Sequence, residues 1–294
     1  MSPRSFGRTG LTVPVLGFGA MQLGDPQIDD AEAGRLLNAV VDAGITLIDT
    51  ARAYGLSEER IGRHLAHRRG DFVLSTKVGY GVAGVPDWTH ECVLRGVDAA
   101  RDRLRTDVID IVHLHSCGLE TLRAGEVTDA LGRCVQQGKV RVAAYSGDDA
   151  ALAFAVGSGA FGSFQASVSL CDQQALPVLQ RARAGGAGTI AKRSLAGRPW
   201  HAQTARGDTV HREYDRRYTA LRAALGIEPA DWDELALRFA AYADGVDCVI
   251  VGGTNVRHLQ RNLAAVANGP LEASLGAAIR DAFAKQGVDW RGLV

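Results

Sequence analysis

Eight short apolar runs alternate with amphipathic segments along the chain, and this alternation constrains the fold more than any other feature. The runs cover residues 15–21, 45–49, 72–77, 108–115, 140–146, 161–169, 188–194 and 247–253. Strands that are apolar on both faces are typical of parallel sheets covered by helices. A barrel of eight strand–helix units needs about 250 residues, and this chain has 294. We therefore predict an α/β fold in which residues 1–294 form one domain, a single (β/α)8 TIM barrel.

The segments between the runs have helical periodicity. Predicted helices cover residues 30–43, 57–68, 90–104, 126–137, 148–156, 173–184, 231–243 and 255–267, and Ser57 is a candidate N-cap. We also predict a short N-terminal hairpin within residues 1–15, an extra helix at 211–225 and a C-terminal helix at 272–285. The competing fold is an open doubly wound sheet. However, no G-x-G-x-x-G motif follows the first run, where a dinucleotide site of that fold requires it.

The composition excludes several classes of function. The 33 basic and 33 acidic residues balance, so we predict no nucleic-acid partner and no attachment to an anionic membrane. The five cysteines are odd in number and form no C-x-x-C pair, which indicates a reduced chain without a structural metal. The sequence has no apolar signal core or membrane-length apolar run, so a cytoplasmic location is expected. These features do not determine the oligomeric state.

Three ionisable side chains come last on three consecutive predicted strands. Alternate residues of a strand share one face, so Asp49, Lys77 and His115 are expected to converge on one mouth of the barrel. Tyr54 lies in the loop that follows Asp49. Enzymes with this fold carry their active site at the C-terminal ends of the strands. We therefore interpret these four residues as a functional set, and His113, deeper on the same face, as a buried core histidine.

The four side chains suit the transfer of a proton to a developing alkoxide. An isolated tyrosine has a pKa of about 10 and is a weak acid at neutral pH, but a nearby ammonium favours its phenolate. A buried aspartate would keep that ammonium charged, and a histidine beside the phenol can orient a carbonyl oxygen. Because the sequence has no evident metal cluster or reactive cysteine to supply electrons, a hydride-carrying cofactor is expected.

In these residues the chain resembles the aldo-keto reductase superfamily, and the resemblance runs nearly end to end. The family motif D-T-A-x-x-Y-G-x-S-E-x-x-I/L-G matches residues 49–62, its S-T-K matches 75–77 and its D-x-x-x-x-H matches 110–115. The resemblance implies that Asp49, Tyr54, Lys77 and His115 form the catalytic tetrad of the family. It also implies that Tyr54 donates the proton during hydride transfer from NAD(P)H.

The resemblance, together with the glycine-containing end of the first run, indicates residues that contact the cofactor. They are Gly19, Ala20, Met21, Asp49, Ser146, Gln165, Lys192, Arg193, Ser194, Leu195, Gly252, Gly253, Thr254, His258, Arg261 and Asn262. The chain departs from the family pattern where Gly147 replaces an asparagine, where Val168 and Ser169 replace a Tyr-Asn pair, and where Lys192 replaces an aromatic residue. For Lys192 and Arg193, contact with the pyrophosphate and a solvated surface pair are both open.

The preferred cofactor follows from charges near the last strand. Many relatives have a lysine or arginine that contacts the 2′-phosphate of NADPH. In this chain the corresponding position falls within residues 252–254, which contain no lysine or arginine. Arg257, His258 and Arg261 follow a few residues later. We therefore expect NADPH to be preferred over NADH, but by a smaller margin than in relatives with a lysine or arginine in this stretch, and NADH is still possible.

The predicted function is an NAD(P)H-dependent oxidoreductase that reduces a small aldehyde or ketone to an alcohol, with Tyr54 as proton donor. One alternative is a cofactor-binding sensor or regulatory barrel with little turnover, which the departures at Gly147, Ser169 and Lys192 suggest. Another is a Schiff-base lyase that uses Lys77 or Lys192. The particular aldehyde, ketone or sugar does not follow from the sequence, because specificity lies in loops of unknown shape.

Overall fold

The computed structural model describes residues 3–201 and 208–293, and the strands of these residues form two sheets. The first is an antiparallel hairpin of β1 (Arg4–Ser5) and β2 (Thr12–Val13). The second contains β3 (Leu16–Gly19), β4 (Leu47–Asp49), β5 (Val73–Val78), β6 (Ile109–His115), β7 (Val140–Ser146), β8 (Ser163–Ser167), β9 (Gly188–Lys192) and β10 (Cys248–Gly252). These eight strands pair in parallel, and β10 closes onto β3. The predicted (β/α)8 barrel with an N-terminal hairpin is confirmed.

Helices follow the strands around the barrel. They are α1 (Asp30–Asp42), α2 (Ser57–Leu65), α3 (His90–Leu104), α4 (Leu119–Ala124), α5 (Glu126–Gln136), α6 (Asp149–Ser158), α7 (Leu176–Ala184), α8 (Thr209–Leu225), α9 (Trp232–Ala241), α10 (Val256–Ala267) and α11 (Ala273–Gln286). The extra helix α8 and the C-terminal helix α11 were both predicted. Residues 202–207, which precede α8, lie outside the described residues. Across the described ranges, no helix is long and apolar enough to cross a membrane.

Two helical segments differ from the prediction. Helix α4 was missed because it has only six residues, and Gly125, with φ of 83°, separates it from α5. A helix of this length is too short to display a reliable apolar period. Helix α2 ends at Leu65 rather than at residue 68, and a 3-10 segment, Ala66–Asp71, replaces its last turn.

The N-terminal hairpin closes one end of the barrel. Phe6 and Val13 are fully buried and pack with inward-facing strand residues such as Leu47, Ile111 and Ile190. A Cβ atom on Gly188 would lie 2.4 Å from the Phe6 ring, so the hairpin packs directly against the start of β9. This end of the barrel is therefore filled by apolar side chains, and the polar residues collect at the opposite end.

The strand register brings the predicted catalytic residues to that opposite end. Asp49 of β4 pairs with Ser75 of β5, and Lys77 pairs with His113 of β6. His115 pairs with Ser146 of β7 in the same way. Because alternate residues share a face, Asp49, Lys77 and His115 line one arc of the barrel mouth.

Candidate active site

A buried ion pair lies at the C-terminal end of the barrel. Lys77 Nζ is 2.5 Å from Asp49 Oδ2 and also donates to the Thr50 carbonyl at 2.8 Å. Both side chains are almost completely buried. Burial opposes the charge on each group, but their mutual attraction outweighs it, so the pKa of Asp49 is lowered and the pKa of Lys77 is raised. The pair therefore stays charged at neutral pH.

The loop between β4 and α2 holds Tyr54 beside this ion pair. Lys77 Nζ lies 5.0 Å from the centre of the Tyr54 ring. The next residue, Gly55, has φ of +48°, and a Cβ atom there would lie 2.4 Å from the Gly24 carbonyl oxygen. The Leu56 amide donates to the same carbonyl at 3.1 Å. Close backbone packing thus requires the glycine after Tyr54 and fixes the loop that carries the phenol.

Two other residues of the family motif at positions 49–62 hold the loop in place. The predicted capping role of Ser57 is wrong, because Ser57 is the first residue of α2 and its hydroxyl donates to the Ala20 carbonyl at 2.9 Å. Glu58 is buried and accepts hydrogen bonds from Thr76 Oγ1 at 2.6 Å and Arg103 Nε at 2.7 Å. The motif therefore encodes both a phenol and the scaffold that positions it.

His115, at the end of β6, lies between two phenols. Its ring centre is 5.7 Å from that of Tyr54, edge to face, and 5.4 Å from that of Tyr80, which stacks on it. Tyr80 Oη is 2.9 Å from His115 Nδ1. Burial and the nearby Lys77 ammonium lower the pKa of His115 to about 3, so the imidazole is neutral at neutral pH. Sequence reasoning missed Tyr80, because it lies in a loop where no periodicity predicts a direction.

His113 lies deeper in β6 and is fully buried, in agreement with the prediction. Its Nε2 is 3.2 Å from Ser75 Oγ, and the Ser75 hydroxyl donates to Asp49 Oδ1 at 2.8 Å. Because that hydroxyl proton points to Asp49, the serine oxygen accepts from His113 Nε2–H. His113 is therefore connected to the Asp49 carboxylate through Ser75.

Burial of His113 makes the free energy of unfolding depend on pH. Burial lowers the pKa of His113 to about 4, whereas an unfolded histidine has a pKa of about 6.5. Unfolding therefore takes up a proton at His113 below pH of about 6.5, and stability falls as the pH falls, by about 1.4 kcal/mol per pH unit, until the pH reaches the folded pKa. Denaturant titrations at pH 7 and pH 5 should show a smaller pH dependence for His113→Asn than for the wild type. Equal pH dependence in the two proteins would contradict this expectation.

Ser146 and Gln165, predicted to contact the cofactor, lie side by side on β7 and β8. Ser146 Oγ donates to Gln165 Oε1 at 3.0 Å, and Gln165 Nε2 donates to Asp49 Oδ1 at 3.0 Å. The family asparagine after Ser146 is replaced by Gly147, where a Cβ atom would lie 2.3 Å from Tyr145 Oη. The Tyr145 side chain thus occupies the space that a larger residue would need. This packing explains one departure from the family pattern.

The end of β3 approaches the same site through its backbone. Gly19 pairs with Asp49 on one side and with Gly252 on the other. The Ala20 amide donates to the Asp49 carbonyl at 2.8 Å, and the Ala20 side chain is buried. Met21 is 54% exposed. Of these predicted contacts, Met21 offers an exposed side chain, whereas the methyl group of Ala20 is packed inside the protein.

Lys192, at the end of β9, forms a second ion pair. Its Nζ is 3.1 Å from Asp148 Oδ2, and its side chain is only 14% exposed. Of the two interpretations left open by the sequence, the structure therefore excludes the solvated surface pair for Lys192. Burial lowers the pKa of Lys192, although the Asp148 carboxylate opposes this shift. Arg193 is exposed with φ of 56°, while Ser194 and Leu195 are buried.

The start of α10 contains the remaining predicted contacts. Residues 252–254 connect β10 to the helix, and Asn255 caps it by accepting from the His258 amide at 3.0 Å. A Cβ atom on Gly252 would lie 2.1 Å from Gln22 Oε1. The Gln22 side chain therefore lies against the segment in which many relatives carry a cation. Asn262 is partly buried on the same helix.

A cluster of opposite charges surrounds His258. We call it the mixed-charge cluster, and it contains three arginines and two aspartates: Arg198, Arg257, Arg261, Asp231 and Asp233. Arg261 Nη2 is 3.3 Å from Asp231 Oδ2, and Arg198 Nε is 3.4 Å from Asp233 Oδ1. Burial and the three guanidinium groups lower the pKa of His258. Arg198 and Arg261 each affect this pKa more strongly than the opposing Asp233 carboxylate. Sequence reasoning missed Arg198, which is distant in the chain.

Comparison with known proteins agrees with this geometry. A model of the aldo/keto reductase family matches residues 15–283. The chain belongs to the aldo-keto reductase family. This aldo-keto reductase is 28% identical to L-galactose dehydrogenase from Arabidopsis thaliana over 287 residues, which cover 90% of the chain and 87% of that relative.

A solved aldo-keto reductase from Bacillus halodurans, in its holo form, is similar to this aldo-keto reductase with a TM-score of 0.82 and 27% identity. The match covers 96% of each chain. A probable voltage-gated potassium channel β subunit from Oryza sativa subsp. japonica is 37% identical over 122 residues, or 39% of this chain and 37% of that protein. Membership of the family assigns the protein to the oxidoreductases.

The thiols of this aldo-keto reductase lie away from solvent. All five cysteines are unpaired and buried. Burial raises the pKa of Cys117, which follows His115 by two residues, to about 12, so this thiol is a poor nucleophile at neutral pH. In the part of the chain that the structure describes, no group of three or more His, Cys, Asp or Glu side chains could hold a metal ion.

Proposed function

We propose that this aldo-keto reductase reduces an aldehyde or ketone to the corresponding alcohol, with Tyr54 as proton donor. The observation that supports this most strongly is the charged Lys77–Asp49 pair beside Tyr54, next to a neutral His115. A fixed cation stabilises the negative charge that develops on a phenol oxygen as it releases its proton. His115 would orient the carbonyl oxygen toward that phenol. A bound nicotinamide cofactor would supply the hydride to the carbonyl carbon.

The chemistry of the site suits a nicotinamide dinucleotide. Ser146 and Gln165 offer a hydroxyl and an amide next to Asp49, as a carboxamide group would require. The start of α10 offers backbone N–H groups and the positive end of the helix dipole to a phosphate. On β9, Lys192 is already paired with Asp148, so we infer that the exposed Arg193 is better placed to approach the pyrophosphate.

The proposed reaction is tested by following the absorbance of reduced cofactor with a panel of aldehydes, ketones and aldoses. We propose a neutral, sugar-like substrate, because L-galactose dehydrogenase is a relative over most of the chain. The rings of Tyr54, Tyr80 and Trp88 support this proposal, since aromatic faces near the mouth suit the C–H faces of a sugar. Folded protein that consumes neither NADPH nor NADH with any of these compounds would overturn the proposed activity.

We also propose that NADPH is preferred over NADH by about tenfold. The three arginines of the mixed-charge cluster would attract a 2′-phosphate, and their field already lowers the pKa of His258. The two aspartates of the cluster reduce this attraction, so the margin is modest. A charge-assisted hydrogen bond contributes about 1.5–3 kcal/mol, and about 1.4 kcal/mol corresponds to a factor of ten.

A pair of variants with opposite expected effects tests the cofactor preference. Arg261→Gln should lower kcat/KM for NADPH by about tenfold and leave the value for NADH within about twofold. Asp231→Asn should raise the preference for NADPH, because it removes an anion that lies 3.3 Å from Arg261, while asparagine still caps α9. Both constants are measured with one carbonyl substrate at low and high salt. The preference should shrink as salt screens exposed charges, and a clear wild-type preference for NADH would contradict the proposal.

The two alternative functions have less support. A Schiff-base lyase needs a neutral amine, and Asp49 holds Lys77 as an ammonium. Burial lowers the pKa of Lys192, but this side chain is engaged in an ion pair with Asp148. A sensor with little turnover gains some support from the similarity to a potassium channel β subunit over 39% of the chain. Borohydride trapping of substrate on a lysine would favour the first alternative. Tight cofactor binding without turnover would favour the second.

We further propose that the protein works as one domain in a reducing compartment, the cytoplasm. The barrel strands, the hairpin and the helices pack around shared apolar clusters. Five buried, unpaired thiols suit a compartment in which disulfides are kept reduced.

A further inference from the structure

Tyr80 contacts His115 through both its ring and its hydroxyl. Its Oη lies 2.9 Å from His115 Nδ1, and the two rings stack with centres 5.4 Å apart. We propose that Tyr80 is a positioning residue that holds the proton of neutral His115 on Nε2, so that Nε2–H is the donor available to the substrate carbonyl. This inference rests on the proposed carbonyl reduction and adds a residue that none of the family motifs contains.

The hydrogen-bonding capacities of Tyr80 and His115 determine the tautomer of His115. A neutral imidazole has one donor and one acceptor nitrogen, and the partner of one nitrogen determines which tautomer is present. Burial raises the pKa of Tyr80, so its hydroxyl keeps its proton at neutral pH. When that O–H donates to Nδ1, the imidazole proton must lie on Nε2. The opposite arrangement would leave Nε2 as a bare acceptor, which repels a carbonyl oxygen.

The loop after β5 holds Tyr80 in place. Trp88 packs against the Tyr80 ring with centres 5.6 Å apart, and the Trp88 amide donates to the Gly79 carbonyl at 2.7 Å. Gly79 has φ of +132°, and a Cβ atom there would lie 2.2 Å from the Trp88 ring. The Gly81 amide donates to Asp87 Oδ1 at 2.8 Å. The Tyr80 ring therefore lies between Trp88 and His115 in a loop closed by its own hydrogen bonds.

A tyrosine in this position constrains His115 without adding charge. Lys77 lies on β5, next to the strand of His115, and burial and the Lys77 ammonium both keep His115 neutral. A neutral donor needs a fixed tautomer, because the fraction of molecules with the other tautomer would present an acceptor nitrogen to the substrate carbonyl. Because Tyr80 acts through His115, its loss should change kcat more than the affinity for the cofactor.

The test begins with the wild-type protein and needs no substrate. Two-bond ¹H–¹⁵N correlation spectra of ¹⁵N-histidine-labelled protein report the tautomer of each histidine, and His115→Asn identifies the His115 signals. We expect a protonated Nε2 and an unprotonated Nδ1 for His115 in the wild type, and a mixture of tautomers in Tyr80→Phe. A wild-type His115 with its proton on Nδ1 would overturn the inference.

Kinetics of Tyr80→Phe give the second measurement. The variant keeps the ring that packs against Trp88 and removes only the hydroxyl, and we expect kcat to fall about tenfold with KM for NADPH within about twofold of wild type. Tyr242→Phe is the matched control, because Tyr242 directly follows α9 and its hydroxyl donates to the Val266 carbonyl of α10 at 2.6 Å. That control should keep the wild-type kcat and the wild-type His115 spectrum.

The outcomes separate this inference from the proposed function. If the wild type consumes no reduced cofactor, the proposed function fails, but the spectra still decide the role of Tyr80. If the wild type is active and Tyr80→Phe leaves both kcat and the His115 tautomer unchanged, the role of Tyr80 is wrong while the proposed function stands.

Discussion

Replacing Tyr54 with phenylalanine should lower kcat by about 100-fold or more, the usual scale for the loss of a positioned acid, while cofactor affinity stays close to the wild-type value. The variant keeps the aromatic ring that lies 5.0 Å from Lys77 Nζ and removes only the hydroxyl. The ion pair and the neutral His115 remain, so the loss isolates the proton donor. Stopped-flow consumption of reduced cofactor measures the chemical step, and fluorescence titration measures cofactor binding.

The Tyr54 experiment needs a control for the removal of a tyrosine hydroxyl. Tyr242→Phe removes a hydroxyl that donates to the Val266 carbonyl of α10 and should leave kcat unchanged. A Tyr54→Phe enzyme with nearly wild-type kcat would mean that another group, such as Tyr80, donates the proton. Tyr54→Phe/Tyr80→Phe would then distinguish a substitute donor from a reaction that needs no phenol.

The placement of the tetrad could be predicted because the period of a strand is fixed. Side chains alternate strictly along a strand, so the parity of Asp49, Lys77 and His115 was enough to put them on one face. The register of β4, β5 and β6 then brings them together. The closed barrel could be predicted because eight strands that are apolar on both faces alternate with helices along the chain.

Side chains in loops could not be placed in this way. Tyr80, Gln22 and Arg198 reach the site from connections whose direction depends on close backbone contacts, such as that of Gly79 with Trp88. The pairing of Lys192 with Asp148 joins the ends of two strands that are not adjacent. These features depend on tertiary packing, and a one-dimensional pattern contains no signal for them.

Replacing Lys77 with methionine should damage both activity and stability. The variant removes the cation beside Tyr54, so we expect a loss in kcat of about 100-fold, as for the proton donor itself. It also leaves the buried Asp49 without its ion-pair partner, and breaking a buried pair costs about 3–5 kcal/mol in the free energy of unfolding. Thermal melts must accompany the kinetics, because the assay temperature must lie below the melting temperature of the variant.

The pH dependence of stability tests whether Asp49 is left as an unpaired carboxylate in the Lys77→Met variant. In the wild type, the pKa of Asp49 is lowered, so the contribution of its carboxylate to the free energy of unfolding is present at neutral pH and is lost only in acid. Without Lys77, burial should raise the pKa of Asp49 above the unfolded value of about 3.9. At pH values between the unfolded and the folded pKa, the folded variant binds a proton that the unfolded chain does not. The free energy of unfolding therefore falls as the pH rises from the unfolded pKa to the folded pKa. The stability difference between wild type and variant should therefore be larger at pH 7 than at pH 5.

A double variant separates the two effects of losing Lys77. In Asp49→Asn/Lys77→Met the stranded charge is removed, and asparagine keeps an oxygen that can accept from Ser75 and Gln165, which both donate to Asp49 Oδ1 in the wild type. This double variant should regain most of the lost stability and lose the pH dependence, yet remain as inactive as Lys77→Met. Recovery of kcat together with stability would mean that Lys77 serves only to neutralise Asp49. Continued inactivity in a stable protein would show that the charge of Lys77 acts on Tyr54.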